Sequence, residues 1–234
     1  MIAALPVGGN RTAGKSPGAR SDTIRIEMAI RIQSVAEPFQ SADPDVTREA
    51  MEALVLAEAM GLLGDESVER LDLPTLRRVA RSASDAGIGT LPSAALAVRR
   101  PAARDLRGVL QGLREALEDS PVPAQEWAAL APLFGADDLA RLVAVSPASL
   151  RRYASGSRPT PDAVAARLHF LARVVAELKG AYNDIGVRRW FDRKRTLLRG
   201  RSPAQILTGD WNPEGGRAEK VLNLARSLSS SPAT

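Results

Sequence analysis

Two adjacent arginines, Arg151 and Arg152, lie in a stretch whose residue types and spacing are suited to reading DNA. The segment ADDLARLVAVSPASLRRYASG, residues 136–156, holds two short helical patterns separated by a tight turn. Arginine can bind guanine through two hydrogen bonds in the major groove, and small neighbouring residues allow a close approach to base edges. We therefore interpret the stretch as a DNA-binding helix-turn-helix, with an ordinary helical hairpin carrying solvated arginines as the alternative.

The second helix of this pair divides into an inward and an outward face. Leu150 and Tyr153 are three residues apart and are predicted to point inward, while Ser146 can cap the helix and Gly156 can end it. Small and basic residues remain for the outward face, and the two residues just past the helix suit phosphate contacts. The predicted DNA-binding residues are Ser146, Ala148, Ser149, Arg151, Arg152, Ser155, Ser157 and Arg158.

The elements that position this stretch are predicted to be helices. The chain of 234 residues is poor in aromatic residues and rich in Ala, Leu and Arg, which favours helices over sheets. Several helices begin with a capping residue followed by proline: Asp43-Pro44, Ser146-Pro147, Thr160-Pro161 and Ser202-Pro203. We predict helices over residues 43–63, 73–86, 103–117, 137–144, 146–155 and 161–179, followed by three short ones, with residues 87–101 as a linker or an irregular connection.

One segment has the alternation of a β-strand. In TIRIEMAIRI, every second residue is apolar: Ile24, Ile26, Met28, Ile30 and Ile32. No second segment alternates as well, so this strand either pairs with its copy in a dimer or the interpretation is wrong. The predicted fold class is all-α, a helical bundle with a helix-turn-helix and a small C-terminal helical module, and one N-terminal β-strand as its only β-structure.

Composition shifts divide the chain into four parts. Residues 1–21 are rich in Gly, Pro, Ser and Arg and are predicted to be a disordered tail. The helix-breaking segment EDSPVPAQ separates an N-terminal helical domain, residues 22–118, from the DNA-binding domain, residues 123–180. We expect the N-terminal domain to serve dimerisation or regulation. Residues 181–229 form the C-terminal module.

Charge is distributed unevenly along the chain. Residues 37–70 contain nine acidic residues against two arginines, whereas residues 188–201 contain seven basic residues against one aspartate. Such asymmetry predicts a polyanionic partner on the C-terminal side, with a solvated basic helix as the alternative.

Composition also limits the chemistry that this chain can perform. The absence of cysteine removes disulfides, thiolate catalysis and cysteine-based zinc sites, and it fits the cytoplasm. The one histidine, His169, lies off the apolar stripe of its helix and is predicted to face solvent, so we expect no metal site within one chain. No apolar run reaches the about 18 residues that span a bilayer. We expect a cytoplasmic protein that is not an enzyme and holds no cofactor.

One motif argues for an enzyme. GNRTAGKS, residues 9–16, matches the spacing of the phosphate-binding loop called Walker A. That loop needs a preceding strand and a following helix, but Pro17 and Gly18 follow at once. We interpret the match as a coincidence in a flexible tail, and a P-loop enzyme remains a third hypothesis.

From residue 123 onward the chain resembles the Xre/ParS-like antitoxins. The helix-turn-helix matches the phage-repressor (Xre) type through Leu139, Ala140, Val145, Leu150, Tyr153 and Gly156. The C-terminal module matches through Trp190, Gly200, Pro203, Ile206, Leu207, Gly209, Val221 and Leu224. The chain departs from the family pattern in three places: Ala144 replaces a common turn glycine, LRG replaces a double glycine, and DWNPEGGRAE is longer than the usual link.

The resemblance implies a protein with two partners. Such antitoxins neutralise a RES-domain toxin, which degrades NAD, by blocking its active site, and the complex represses its own operon by binding the operator DNA. The resemblance implies toxin contacts at Arg199, Arg201, Ser202 and Trp211, with simple packing of Trp211 over the helix pair as the alternative. We expect a homodimer. A transcriptional regulator with a ligand-sensing or dimerisation domain and no toxin partner remains the second hypothesis.

Overall fold

The computed structural model describes residues 30–64, 66–97 and 103–229, and this part of the chain is mostly helical. Two strands accompany the helices: β1 (Ile30–Val35) and β2 (Val68–Leu71). The helices are α1 (Pro44–Ala59), α2 (Leu73–Asp85), α3 (Thr90–Ala97), α4 (Ala103–Asp119), α5 (Pro123–Phe134), α6 (Ala136–Leu142), α7 (Pro147–Ala154), α8 (Asp162–Lys179), α9 (Asp184–Asp192), a 3₁₀ helix (Thr196–Leu198), α10 (Pro203–Ile206) and α11 (Gly216–Ser229). The predicted all-α class is confirmed. The predicted tail, the Walker-type match and Ile24 to Met28 lie outside the described residues.

Local capping chemistry explains where most of the predicted helices begin. The side chains of Asp43, Ser146 and Ser202 each accept a hydrogen bond from a backbone N–H in the first turn of the helix that follows. Thr160 is the exception, because Pro161 is the N-cap of α8 and the Thr160 hydroxyl instead accepts from the Trp127 indole at 3.0 Å. The hydroxyl of a potential capping residue can thus bind a neighbouring helix and leave its own helix without a side-chain cap.

The end of α1 differs from the prediction. The helix ends at Ala59 and Gly61 adopts a left-handed backbone with φ +77°, although the sequence predicted an end at Gly64. The N–H of Gly61 donates to the Glu58 carbonyl and that of Leu62 to the Ala57 carbonyl, both at 2.9 Å. This pattern is a Schellman motif, which favours glycine at the left-handed position.

The two strands form a parallel pair. Ile30 lies opposite Val68, and Val35 lies opposite Leu71, with α1 as the crossover between them. The predicted strand is therefore confirmed over its described part, whereas the expectation that the chain holds no partner strand is wrong. β2 is only four residues long, and its two central residues, Glu69 and Arg70, are both charged. It is therefore too short and too polar to show an alternating pattern of apolar residues.

The segment predicted as a linker contains α3. Leu96 of α3 is fully buried, and the Ser93 hydroxyl donates to the Ala80 carbonyl of α2 at 2.7 Å. Pro92 and the flanking glycines suggested irregular structure, but Pro92 lies in the first turn, where a helix does not need the missing N–H. The linker prediction is wrong for this reason.

One hydrophobic cluster extends from Phe39 to Ala225 through the described residues. Helix α8 is buried on most of its surface, and α1 packs against it from the N-terminal side. The Lys179 ammonium of α8 lies 2.9 Å from the Glu58 carboxylate of α1. The predicted domain boundary at residues 118–123 is therefore a connection between helices that share a core.

Ion pairs neutralise much of the acidic stretch. Arginines from other helices lie 2.9 Å from its carboxylates: Arg114 from Glu49, Arg107 from Asp45 and Arg78 from Glu66. The acidic run therefore serves contacts within the chain.

Candidate nucleic-acid interface and C-terminal loop

The turn between α6 and α7 is a second Schellman motif. The N–H of Ala144 donates to the Arg141 carbonyl at 3.3 Å, and the N–H of Val145 donates to the Ala140 carbonyl at 2.9 Å. Ala144 has φ +59°, in the left-handed region. A side chain there costs roughly 1–2 kcal/mol relative to a right-handed backbone. The position where the chain departs from the family glycine is thus one whose backbone favours glycine.

Helix α7 is anchored by its inward face. Leu150 and Tyr153 are buried as predicted, and the Tyr153 ring stacks over Trp127 of α5 with centroids 6.4 Å apart. Ser146 caps the helix by accepting from the Ser149 N–H at 3.1 Å, and Gly156 follows the helix with φ +70°. These contacts hold a helix of only eight residues in one orientation.

The outward face of α7 is basic and open. Of the eight residues predicted to bind DNA, Ser149 is half-buried and the other seven are exposed. Arg152 contacts the Ser149 hydroxyl at 3.4 Å, and the Arg158 guanidinium lies 5.7 Å from the Tyr153 ring centroid. Neither Arg151 nor Arg152 forms an ion pair with any residue that the structure describes. The structure thus brings the predicted residues onto one accessible surface.

A buried polar pair lies between α5 and α8. His169 is buried, which corrects the expectation that it faces solvent. Its Nδ1 lies 2.6 Å from Glu126 Oε1, and its Nε2 lies 2.8 Å from the Glu118 carbonyl oxygen. Burial raises the pKa of Glu126, and the hydrogen bond from His169 opposes part of this rise. The sequence missed the pair because α8 is covered on more sides than its apolar stripe indicated.

Two of the predicted toxin-contact residues, Ser202 and Trp211, are buried. Ser202 is 4% exposed and forms a capping box with Gln205 at the start of α10. Trp211 is 7% exposed, packs edge-on against Phe170 and donates its indole N–H to the Leu142 carbonyl at 2.8 Å. The structure thus shows the packing of Trp211 over the helix pair that was given as the alternative, and the toxin contacts at both residues stay a prediction.

Arg199 lies in a tight, exposed loop. Arg195 and Arg201 face each other in an antiparallel bridge, and Arg199 and Gly200 between them both adopt left-handed backbone, with φ +55° and +74°. Leu198 is buried beneath the loop, whereas Leu197 is 77% exposed at its surface. The Arg201 guanidinium donates to the Gln205 carbonyl at 2.7 Å, whereas the exposed Arg199 side chain pairs with none of the described residues.

Unpaired positive charge lies in the loop and in the residues just before it. Among the described residues, none pairs with the exposed side chains of Arg189, Arg193, Lys194 and Arg199. The sequence analysis missed Leu197, although two adjacent leucines in a tight basic turn cannot both point inward. This basic loop, residues 195–201 with Leu197 at its surface, is a second candidate contact surface.

Comparisons with protein-family models, curated proteins and solved structures find no match to this chain. Among the helices described here, none is long and apolar enough to cross a membrane. Likewise, within the described part of the chain, no cluster of three or more acidic or histidine side chains could hold a metal ion. The two exposed surfaces that could contact a partner are the outward face of α7 and the basic loop.

Proposed function

We propose that the protein is a DNA-binding repressor that also holds a protein partner, as the antitoxin of a type II toxin–antitoxin system. In this proposal α7 binds operator DNA and represses the operon, while the C-terminal module neutralises a RES-domain toxin that degrades NAD. One observation carries the proposal. Arg151 and Arg152 are exposed, form no ion pair with any described residue, and lie on α7, which is anchored by its inward face and follows a tight turn.

The geometry of α7 suits the major groove. The groove of B-form DNA is about 12 Å wide and admits one α-helix. Ala148 and Ser149 in the first turn of α7 are small, so the backbone can approach base edges closely, and Arg151 and Arg152 extend from the same face. Ser155, Ser157 and Arg158 follow at the exposed end, where phosphate oxygens are the expected partners.

The basic loop supports the second half of the proposal. Its bridge and its left-handed turn fix the backbone before any partner binds, which lowers the entropy lost on binding. Exposed leucine beside unpaired arginine provides both an apolar anchor and a residue type that is enriched in binding hot spots. That the partner is a RES-domain toxin comes from the resemblance alone.

The DNA half is tested by replacing the arginines. Arg151→Ala and Arg152→Ala should each weaken binding to an operator, selected from a randomised duplex pool, by about 1–3 kcal/mol if they read bases. A smaller loss is expected on random DNA, and titrations with both duplexes at one salt concentration measure the difference. Arg78→Ala, which removes the same charge from α2, should change neither affinity. Unchanged operator binding in both α7 variants would contradict the assignment.

The partner half is tested in cells that co-express a RES-domain protein encoded beside this gene. Wild-type chain should co-purify with that protein and restore growth and NAD content, whereas Leu197→Asp should lose at least tenfold in affinity because it places a carboxylate in the contact. Leu91→Asp, on an equally exposed leucine of α3, is the matched control and should behave as wild type. Failure of the wild-type chain to bind would overturn the toxin assignment and leave DNA binding standing.

A cavity favours the second candidate, a regulator that senses a small ligand. The cavity lies between α1, α4, α8 and α11. Its volume of about 810 Å³ is within the range typical of ligand sites. Its walls alternate acidic and basic side chains: Glu49, Glu52, Glu177, Arg48, Arg114 and Arg173. The two candidates share DNA binding through α7, and the co-purification experiment separates them.

A further inference from the structure

The last carbonyl groups of α6 are bonded in an unusual way. A helix leaves its final carbonyls without intrahelical partners, and each must find a donor when it is buried. The Schellman turn satisfies Ala140 and Arg141, and the Val143 N–H donates to Leu139 at 3.0 Å. The carbonyls of Leu142 and Val143 remain, and both residues are buried. Their donors come from outside the helix-turn-helix.

Arg167 of α8 supplies one of these donors. Its side chain is almost fully buried, and its Nη1 donates to the Val143 carbonyl at 3.5 Å. The same guanidinium donates through Nε to the Trp211 carbonyl at 2.8 Å and through Nη2 to the Asp210 carboxylate. One cation thus bonds to the helix-turn-helix and to the segment that follows α10.

Trp211 supplies the other donor. Its Nε1–H donates to the Leu142 carbonyl at 2.8 Å, and its ring meets Phe170 of α8 edge-on with centroids 5.2 Å apart. Trp211 belongs to DWNPEGGRAE, the stretch that is longer than the link common in the family it resembles. Trp211 therefore joins the segment after α10 to the turn of the helix-turn-helix.

We infer that Arg167 and Trp211 are positioning residues for the DNA-reading helix, so that the segment 209–211 belongs to the DNA-binding unit. This inference rests on the proposed DNA binding through α7. Ser146, which opens α7, lies only three residues after Val143, so the position of these carbonyls sets the position and direction of α7. Both side chains are buried and act through the turn without touching DNA.

Specific binding is the property that this arrangement controls. Hydrogen bonds to base edges require the side chains to be held to within about half an ångström, whereas phosphate attraction tolerates larger displacements. A turn that loses a donor shifts the start of α7 relative to the groove. Operator affinity should therefore fall while affinity for random DNA and the salt dependence stay close to wild type.

Trp211→Phe tests the inference. The variant keeps an aromatic ring against Phe170 and removes the N–H that donates to Leu142, together with the second ring of the indole. We expect operator affinity to fall about 3- to 10-fold, the size of one lost hydrogen bond, with random-DNA affinity unchanged. Titrations of the full chain with both duplexes measure the ratio, and thermal unfolding on the same samples reports the fold.

Trp190→Phe is the matched control. Trp190 is also buried, but its indole N–H has no hydrogen-bond partner among the described residues, so removing it takes away no hydrogen bond that the structure shows. This variant should keep the wild-type ratio of operator to random affinity. Because it makes the same substitution in the same module, it separates loss of the Leu142 bond from loss of an indole.

The outcomes are distinct. A wild-type ratio in Trp211→Phe overturns the inference, and so does an equal loss on both duplexes together with a lower unfolding temperature, since that shows a role in folding only. If Arg151→Ala and Arg152→Ala leave operator binding intact, the proposed DNA binding fails instead. A reduced ratio in Trp211→Phe and not in Trp190→Phe supports the inference.

Discussion

At the scale of single residues, Glu126 is the side chain whose surroundings most constrain its chemistry. It is fully buried, its Oε1 faces His169 Nδ1, and its Oε2 has no hydrogen-bond partner within the part of the chain that the structure describes. His169 Nε2 faces a carbonyl oxygen and therefore donates to it. The contact between Glu126 and Nδ1 must then contain a proton, on either the imidazole or the carboxyl group. An unpaired carboxylate oxygen in the core makes the neutral carboxyl group favourable.

This environment predicts a pH dependence of stability. Burial raises the pKa of Glu126 above its ordinary value of 4.5, so its contribution to stability is fully present below that pH and is lost as pH rises through the raised pKa. Glu126→Gln keeps an N–H donor toward His169 at every pH. The free energy of unfolding of Glu126→Gln should therefore increase relative to that of the wild type as pH rises from 4.5 to 8.

Denaturant titrations of both proteins across that range measure the difference. Asp138→Asn, on an exposed carboxylate paired with Arg141, is the control and should show no such gain. A constant difference between Glu126→Gln and wild type, or one that shrinks with pH, would contradict the prediction.

At the scale of elements, the contact between α1 and α5 depends on the absence of a side chain. A Cβ at Gly61 would lie 2.5 Å from the Gln125 carbonyl oxygen, a distance that real contacts do not show. Because this oxygen belongs to the backbone of α5, relieving the clash would require the whole helix to move. The early end of α1 therefore allows α5, which carries Trp127 beneath the helix-turn-helix, to pack closely.

Two glycines separate this steric effect from the backbone effect. Gly64→Ala should cost roughly 1–2 kcal/mol, because the backbone there is left-handed and the space around it is open. Gly61→Ala has the same backbone cost and adds the clash with Gln125, so its loss in unfolding free energy should be clearly larger. Equal losses in chemical denaturation would show that α5 does not press on α1.

At the scale of the whole molecule, charge and packing are arranged differently in the two halves. Ion pairs within the fold neutralise much of the acidic stretch near the N-terminus. The basic loop and the outer face of α7, by contrast, carry cations that pair with none of the described residues. Burial of α1 against α8 joins both halves in one hydrophobic cluster. The N-terminal helices therefore support the scaffold that carries the two candidate contact surfaces.

The outward face of α7 and the starts of the capped helices were predictable because they depend on short-range rules. Capping by Asp43, Ser146 and Ser202 involves residues two or three positions apart, and inward Leu150 and Tyr153 follow from helical spacing. These features depend on residues within one or two helical turns of each other, so they could be predicted without knowing which distant residues pack together.

Only the tertiary structure decided which polar and aromatic groups are buried. His169, Thr160 and Trp211 take their partners from residues 33 to 69 positions away, and β2 exists because β1 lies beside it. The sequence by itself determined where α1, α7 and α10 begin and which face of α7 is free. What it left to the fold were contacts between distant residues, because burial depends on the element that packs against a side chain and local spacing does not identify that element.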